Sequence, residues 1–156
     1  MRKVIMAFGY AFLVFLVFSV TGIASIVVLG KRLDKESRAY VDAAIPAIVS
    51  EWDVQELQKR ASPEFQESVD DEDLENDFET LKQLGRLEQY HGSVGASDIT
   101  VSFQYCYEIT ADYTANADFE SGSAEIQVSL IRHGGQWQIL DLKMNPLPYS
   151  ENKSII

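Results

Sequence analysis

Three tyrosines of one parity, Tyr105, Tyr107 and Tyr113, with Trp52 upstream, are the side chains of this sequence best suited to line a pocket. For such a pocket to catalyse a proton transfer it must also hold a desolvated carboxylate or imidazole. The neighbouring acids Glu108, Asp112, Asp118 and Glu125 all fall on the opposite, outward parity, and Asp141 is the one carboxylate whose direction the sequence leaves open. Inward tyrosines ordinarily pack as core, with the hydroxyl reaching a partner. His91, in Tyr90-His91-Gly92, and His133, beside Gly134-Gly135, read as solvated loop residues. Cys106 is the only cysteine, so no internal disulfide can form, and it reads as a small packed side chain rather than a nucleophile.

Metal chemistry has one candidate. Asp71, Asp73, Glu75 and Asp77 alternate as in a calcium loop, but Asn76 stands at the turn glycine and Lys82 at the closing carboxylate. The acids are better read as the favourably charged start of a helix. Zinc spacing, a phosphate-cradling glycine loop and a nucleophile elbow are all missing from the sequence. The reading is therefore no catalytic residue, no cofactor and no metal.

The element that must position the tyrosines runs from Ile99 to Phe119, where apolar or aromatic residues hold every odd position and polar ones every even position, Cys106 aside. A period of two predicts sheet with one face buried. At about 3.3 Å per residue so long a strand would outreach the domain, so it either coils strongly or folds back through an odd-numbered loop near Tyr107 to Thr110. Before it, Leu87, Tyr90 and Val94 suggest a first strand, with a bend through Gly92, Gly95 and Ala96-Ser97-Asp98. After it, a hairpin with Ser121-Gly122 as its loop sets Phe119 against Ala124. A second, at Gly134-Gly135, pairs Leu130 with Ile139 and Arg132 with Trp137. Burial of Trp137 and Ile139, then Leu142 and Met144, requires a bulge near Leu140-Asp141.

Upstream, Tyr40, Val41, Ala44, Ile45, Ile48, Val49 and Trp52 mark an amphipathic helix over 35–52, bent at Pro46. Asp53-Val-Gln-Glu56 and Ser62-Pro63-Glu64 start two short helices. Leu74, Phe78, Leu81 and Leu84 form a further helical row ended by Gly85.

The first segment differs in kind. Val4 to Gly30 is 27 residues without a charge, roughly 40 Å as a helix against a hydrocarbon core of about 30 Å. Residues 1–32 are read as an uncleaved signal-anchor; the alternative, cleavage after Ala24, conflicts with an apolar run that continues through Leu29. Phe8, Phe12 and Phe15, followed by Ser19, Gly22 and Ser25, could contact a second transmembrane helix or face lipid. Four of the 13 basic residues lie in the first 32, and all 24 acids follow them, so residues 33–156 carry about −15. Such a domain is a poor nucleic-acid binder. The expected arrangement is a single span of the inner (cytoplasmic) membrane, an extracytoplasmic or periplasmic α+β domain over 33–148, and a loose tail over 149–156.

Leu84-Gly85-Arg86-Leu87, the run from Ala111 to Gly122 and Gly135-Gln-Trp137-Gln-Ile139 with Leu142 and Met144 together resemble the membrane-anchored bacterial domains of the cystatin-like, or nuclear transport factor 2-like, superfamily, over residues 35–145. The resemblance implies helices lying in a curved antiparallel sheet. Members include steroid isomerase-like enzymes, polyketide cyclases and non-catalytic partner-binding modules, and a shared fold transfers none of these activities. The Gln-x-Val-x-Gly hairpin of protease inhibitors is absent. The sequence thus points to a membrane-anchored, non-catalytic domain for a protein partner, as in an accessory subunit of a membrane complex, with a small-molecule binder or weak isomerase or hydrolase using the aromatic cone as the alternative.

Overall fold

The computed structural model describes residues 29–100 and 108–147. Contacts divide the chain into Met1–Leu33 and Asp34–Ile156, and the second unit is an α+β domain. Its order is helix α1 (residues 29–49, entered from the first unit), α2 (Val54–Gln58), α3 (Pro63–Ser68), α4 (Asp71–Leu81) with a 3-10 turn at Lys82–Leu84, then strands β1 (Leu87–Thr100), β2 (Glu108–Phe119), β3 (Gly122–His133) and β4 (Gln136–Leu147). The strands form one antiparallel meander in the order β1-β2-β3-β4. Residues 1–28 of the expected membrane span, with Phe8, Phe12, Phe15, Ser19, Gly22 and Ser25, lie outside the described residues, as does the tail, while 29–32 form the start of α1. Among the described residues no helix is long and apolar enough to cross a membrane.

Alternation does on β2 what its period demands. Ala111, Tyr113, Ala115, Ala117 and Phe119 are buried, and Ala124, Ile126, Val128 and Leu130 continue the same face on β3. The helices cover this face with Val41, Ala44, Ile45, Ile48, Val49, Leu57, Phe65 and Phe78. Short alanines on β2 leave room for the bulky residues of α1 to come close.

Helix starts follow their capping residues. Asp53 accepts the Gln55 amide at 2.9 Å, Ser62 the Phe65 amide at 3.2 Å with Pro63 in the first turn, and Asp70 the Glu72 amide at 3.0 Å. Gly134 and Gly135, with φ of 56° and 84°, form the two-residue turn that positive φ at both positions permits. Leu130 pairs with Ile139 and Arg132 with Trp137, as the spacing predicts. The register then slips, because Ser129 pairs with Asp141 and leaves Leu140 extra, which is the expected bulge.

Five expectations are corrected. The first helix includes Pro46 and stops at 49, before Trp52. The chain reverses between Thr100 and Glu108, which pair with each other, earlier than the 107–110 region; seven residues intervene, and that odd number preserves parity. Ile99 therefore lies on β1 and is exposed, outside the buried set. β1 itself continues through Gly92, Gly95 and 96–98 with two register shifts instead of a bend, leaving Val94 76% exposed. Finally, the first hairpin turns at Glu120-Ser121, with Phe119 opposite Gly122 and Ala117 opposite Ala124. That turn is tethered: Glu120 N donates to Arg86 O at 3.1 Å, Ser121 N to Leu84 O at 2.9 Å, and Arg86 N to Glu120 Oε2 at 3.0 Å.

Candidate functional site

Of the predicted pocket residues, Tyr105 and Tyr107 lie outside the described residues, while Tyr113 and Trp52 are both committed to the core. Tyr113 is 2% exposed, donates its hydroxyl to Asp34 O at 3.1 Å and sits 2.8 Å from Ser37 Oγ. Trp52 closes α1 in a left-handed conformation, φ 53°, at the position where glycine is usual. Asp53 N reaches back to Ile48 O at 3.3 Å across it. The conformation costs of order 1 kcal/mol or more in a residue with a Cβ, and the indole supplies the compensation. It donates to Gly85 O at 2.8 Å, lies over Phe119 at 5.2 Å and meets Phe78 edge-on at 6.3 Å. A hydroxyl and an indole N–H both spent on backbone carbonyls leave no polar group there aimed at a ligand.

The carboxylates stand on the other side of the sheet. Asp112 accepts from Ser129 Oγ at 2.5 Å, and Asp118 from Ser123 Oγ and His91 Nε2, each at 2.7 Å. The Ser123 hydroxyl first, then His91, hold the Asp118 carboxyl below its ordinary range. Asp141, whose direction was open, faces outward: Lys143 Nζ lies 2.5 Å from it, and both border a shallow cleft of about 370 Å³ with Val94, Asp112, Thr114 and Gln127. Asp141 holds the Lys143 ammonium above its ordinary range. This cleft is open to water, so it lacks the enclosure a general base needs. His91 sits on β1 rather than in a loop, and His133 on the end of β3, exposed, 3.4 Å from Glu64. Among the described residues no three His, Cys, Asp or Glu side chains gather as a metal set.

Two features escape the sequence reading. The first is a polar seam between α1 and the outer edge of β1. Asp34 Oδ1 accepts the Ser97 amide at 2.8 Å and its hydroxyl at 2.5 Å; Arg38 Nη2 donates to Gly95 O at 3.3 Å; Asp42 Oδ1 accepts the Ser93 amide at 3.0 Å and the Tyr90 hydroxyl at 2.9 Å. A step of four along a helix rises about 6 Å and two residues of strand span about 6.6 Å, so an i, i+4, i+8 row stays in step with an antiparallel strand edge. Ser97 holds the Asp34 carboxyl below its ordinary range, by its hydroxyl first and its amide second, while burial and the Asp42 carboxylate raise the Tyr90 hydroxyl.

The second feature is an apolar groove. α2 touches α4 and α3 touches β4, but between α4 and β4 a hollow of about 360 Å³ opens, lined by Leu57, Leu74, Phe78, Leu81, Leu142 and Met144. Leu142 and Met144, expected to be buried, are only half-buried because α4 does not close over them.

Comparison with known proteins finds no matching family model, no similar curated protein and no similar solved structure.

Proposed function

We propose that the chain is a single-pass membrane protein that presents an acidic, non-catalytic domain of the cystatin-like or nuclear transport factor 2-like build outside the cytoplasm, where it binds a protein partner as an accessory subunit of a membrane complex. The observation that carries the reading is the packing of the inner face among the described residues: Trp52 lies against Phe78 and Phe119, and Tyr113 bonds to α1, where an enzyme of this build would keep a hollow beside a base. The 27-residue charge-free run supports the anchor, and the charge of about −15 that follows argues against nucleic acid.

The test is affinity purification of the full chain from gently solubilised membranes of its own host, with the co-purifying chains identified. A reproducible partner, and a chain that stays in the membrane pellet through alkaline carbonate, are the expected results. Release by carbonate would overturn the anchor, and a chain recovered alone would overturn partner binding.

A further inference from the structure

We infer that the groove between α4 and β4 takes an extended segment of a partner protein, one with alternating apolar residues flanked by lysine or arginine, added as a strand to the edge of β4. The inference rests on the partner-binding reading above and names the surface and the chemistry of what docks there.

Three observations converge on the groove. β4 is an edge strand, and its first half is occupied: Ser62 N donates to Ile139 O and Ile139 N to Arg60 O, each at 2.8 Å. Among the described residues no segment pairs with β4 beyond Ile139, so within that set the outer backbone groups of 141–147, Pro146 N excepted, have no strand neighbour. Added strands use such an edge for affinity and side-chain pockets for specificity. The pocket is present at that place, since Leu81, Leu142 and Met144 are half-buried over the buried Leu57, Leu74 and Phe78, and Leu147 is 43% exposed at the end of the strand. Charge then selects among apolar segments. The helix forming the far wall carries Asp71, Glu72, Asp73, Glu75, Asp77 and Glu79, with Asp77 on the groove itself, while Lys143 on the rim is bonded to Asp141. An acidic wall favours a basic occupant and disfavours an acidic one.

A displayed library of random nine-residue peptides, selected on the full-length chain in lipid nanodiscs, tests this. The expected consensus alternates apolar residues between lysines or arginines, and a synthetic peptide of that consensus protects the outward-facing amides among 141–147, Pro146 having none, but not those of 93–97, from hydrogen exchange. Met144→Lys, which puts a cation into the groove, should weaken that peptide about tenfold or more. Asp77→Lys, an exposed change that leaves the apolar lining intact, should keep the alternation and remove the basic preference. A consensus that is acidic or of helical period, protection elsewhere, or affinity unchanged within about twofold in both variants overturns the inference. A cellular partner that still co-purifies with the Met144→Lys chain also overturns it while leaving partner binding standing; no partner with the unaltered chain overturns the reading beneath it.

Discussion

The two edges of the sheet are treated in opposite ways. Along β1, Asp34, Arg38 and Asp42 bond to Ser97, Gly95 and Ser93, so a helix side supplies the neighbour a further strand would have been. Along β4, Arg60 and Ser62 perform that service only at Ile139. Exposed edges invite pairing with other chains, and proteins commonly blunt them. Sealing one edge with charged hydrogen bonds while half of the other lies beside an apolar hollow separates an edge that holds the fold from the edge proposed above as a docking surface. The comparison teaches where substitutions should unfold the domain and where they should only change what it binds.

The largest effect should come from the sealed edge. Gly95 sits in the middle of the seam, and a Cβ there would lie 1.9 Å from Asp112 O and 2.8 Å from Tyr113 Cα. Backbone must move to admit it, which parts β1 from β2 and pulls Gly95 O away from Arg38. Gly95→Ala should cost about 3 kcal/mol or more, read from urea unfolding, because overpacking against backbone lies at the upper end of its usual range. Next is Asp42→Ala, which strands the buried Ser93 amide and the Tyr90 hydroxyl without their acceptor. A loss of about 2 kcal/mol is expected, with faster amide exchange at Ser93; an unchanged midpoint would mean the seam is ornamental.

How much of this could be read from residues alone depends on which physical signal each feature leaves. Parity places Ala111 to Phe119 correctly, and the change of parity between Ile139 and Leu142 confines the bulge to Leu140-Asp141, where the pairing leaves Leu140 extra, because inward and outward residues differ in polarity. The first hairpin is misplaced by a shift in pairing that moves no side chain to the other face, so alternation is blind to it. What decides that turn is the tether of Glu120 and Ser121 to 84–86, a contact distant in sequence. Trp52 hides its left-handed backbone because it is not glycine. Asp34, Arg38 and Asp42 look like any solvated helix flank, since a charged row at helical spacing carries no mark of the strand it will meet. The groove is illegible for a related reason: Leu142 and Met144 have inward parity, and only the stand-off of α4 leaves them uncovered.

A smaller effect on the same sealed edge should appear with acid. The Asp34 carboxyl is held below its ordinary value of about 3.9 by the Ser97 hydroxyl and then its amide. A lowered carboxyl stabilises the folded chain above the unfolded value, and that contribution is lost as pH falls through the folded one. Unfolding midpoints should therefore drop below about pH 4. Asp34→Asn should be less stable at neutral pH and show a shallower acid limb. Asp118, lowered by Ser123 and His91 on the outer face, adds loss in the same window, so the limb should shrink without vanishing. A limb of unchanged steepness in Asp34→Asn would remove the carboxylate from the account of this edge.

The smallest effect belongs to the open edge. Met144→Lys replaces a half-buried thioether whose neighbours Leu142 and Leu81 already see water. The lysine stem can lie along the same apolar wall with its ammonium in solvent near Asp77. Little packing is lost and no hydrogen bond is broken, so stability should change by no more than about 0.5 kcal/mol, the range of surface substitutions. Chemical denaturation of Met144→Lys beside Asp42→Ala gives the direct contrast. If the two cost the same, the β4 edge supports the fold as much as the β1 edge does, and the division of labour between them fails.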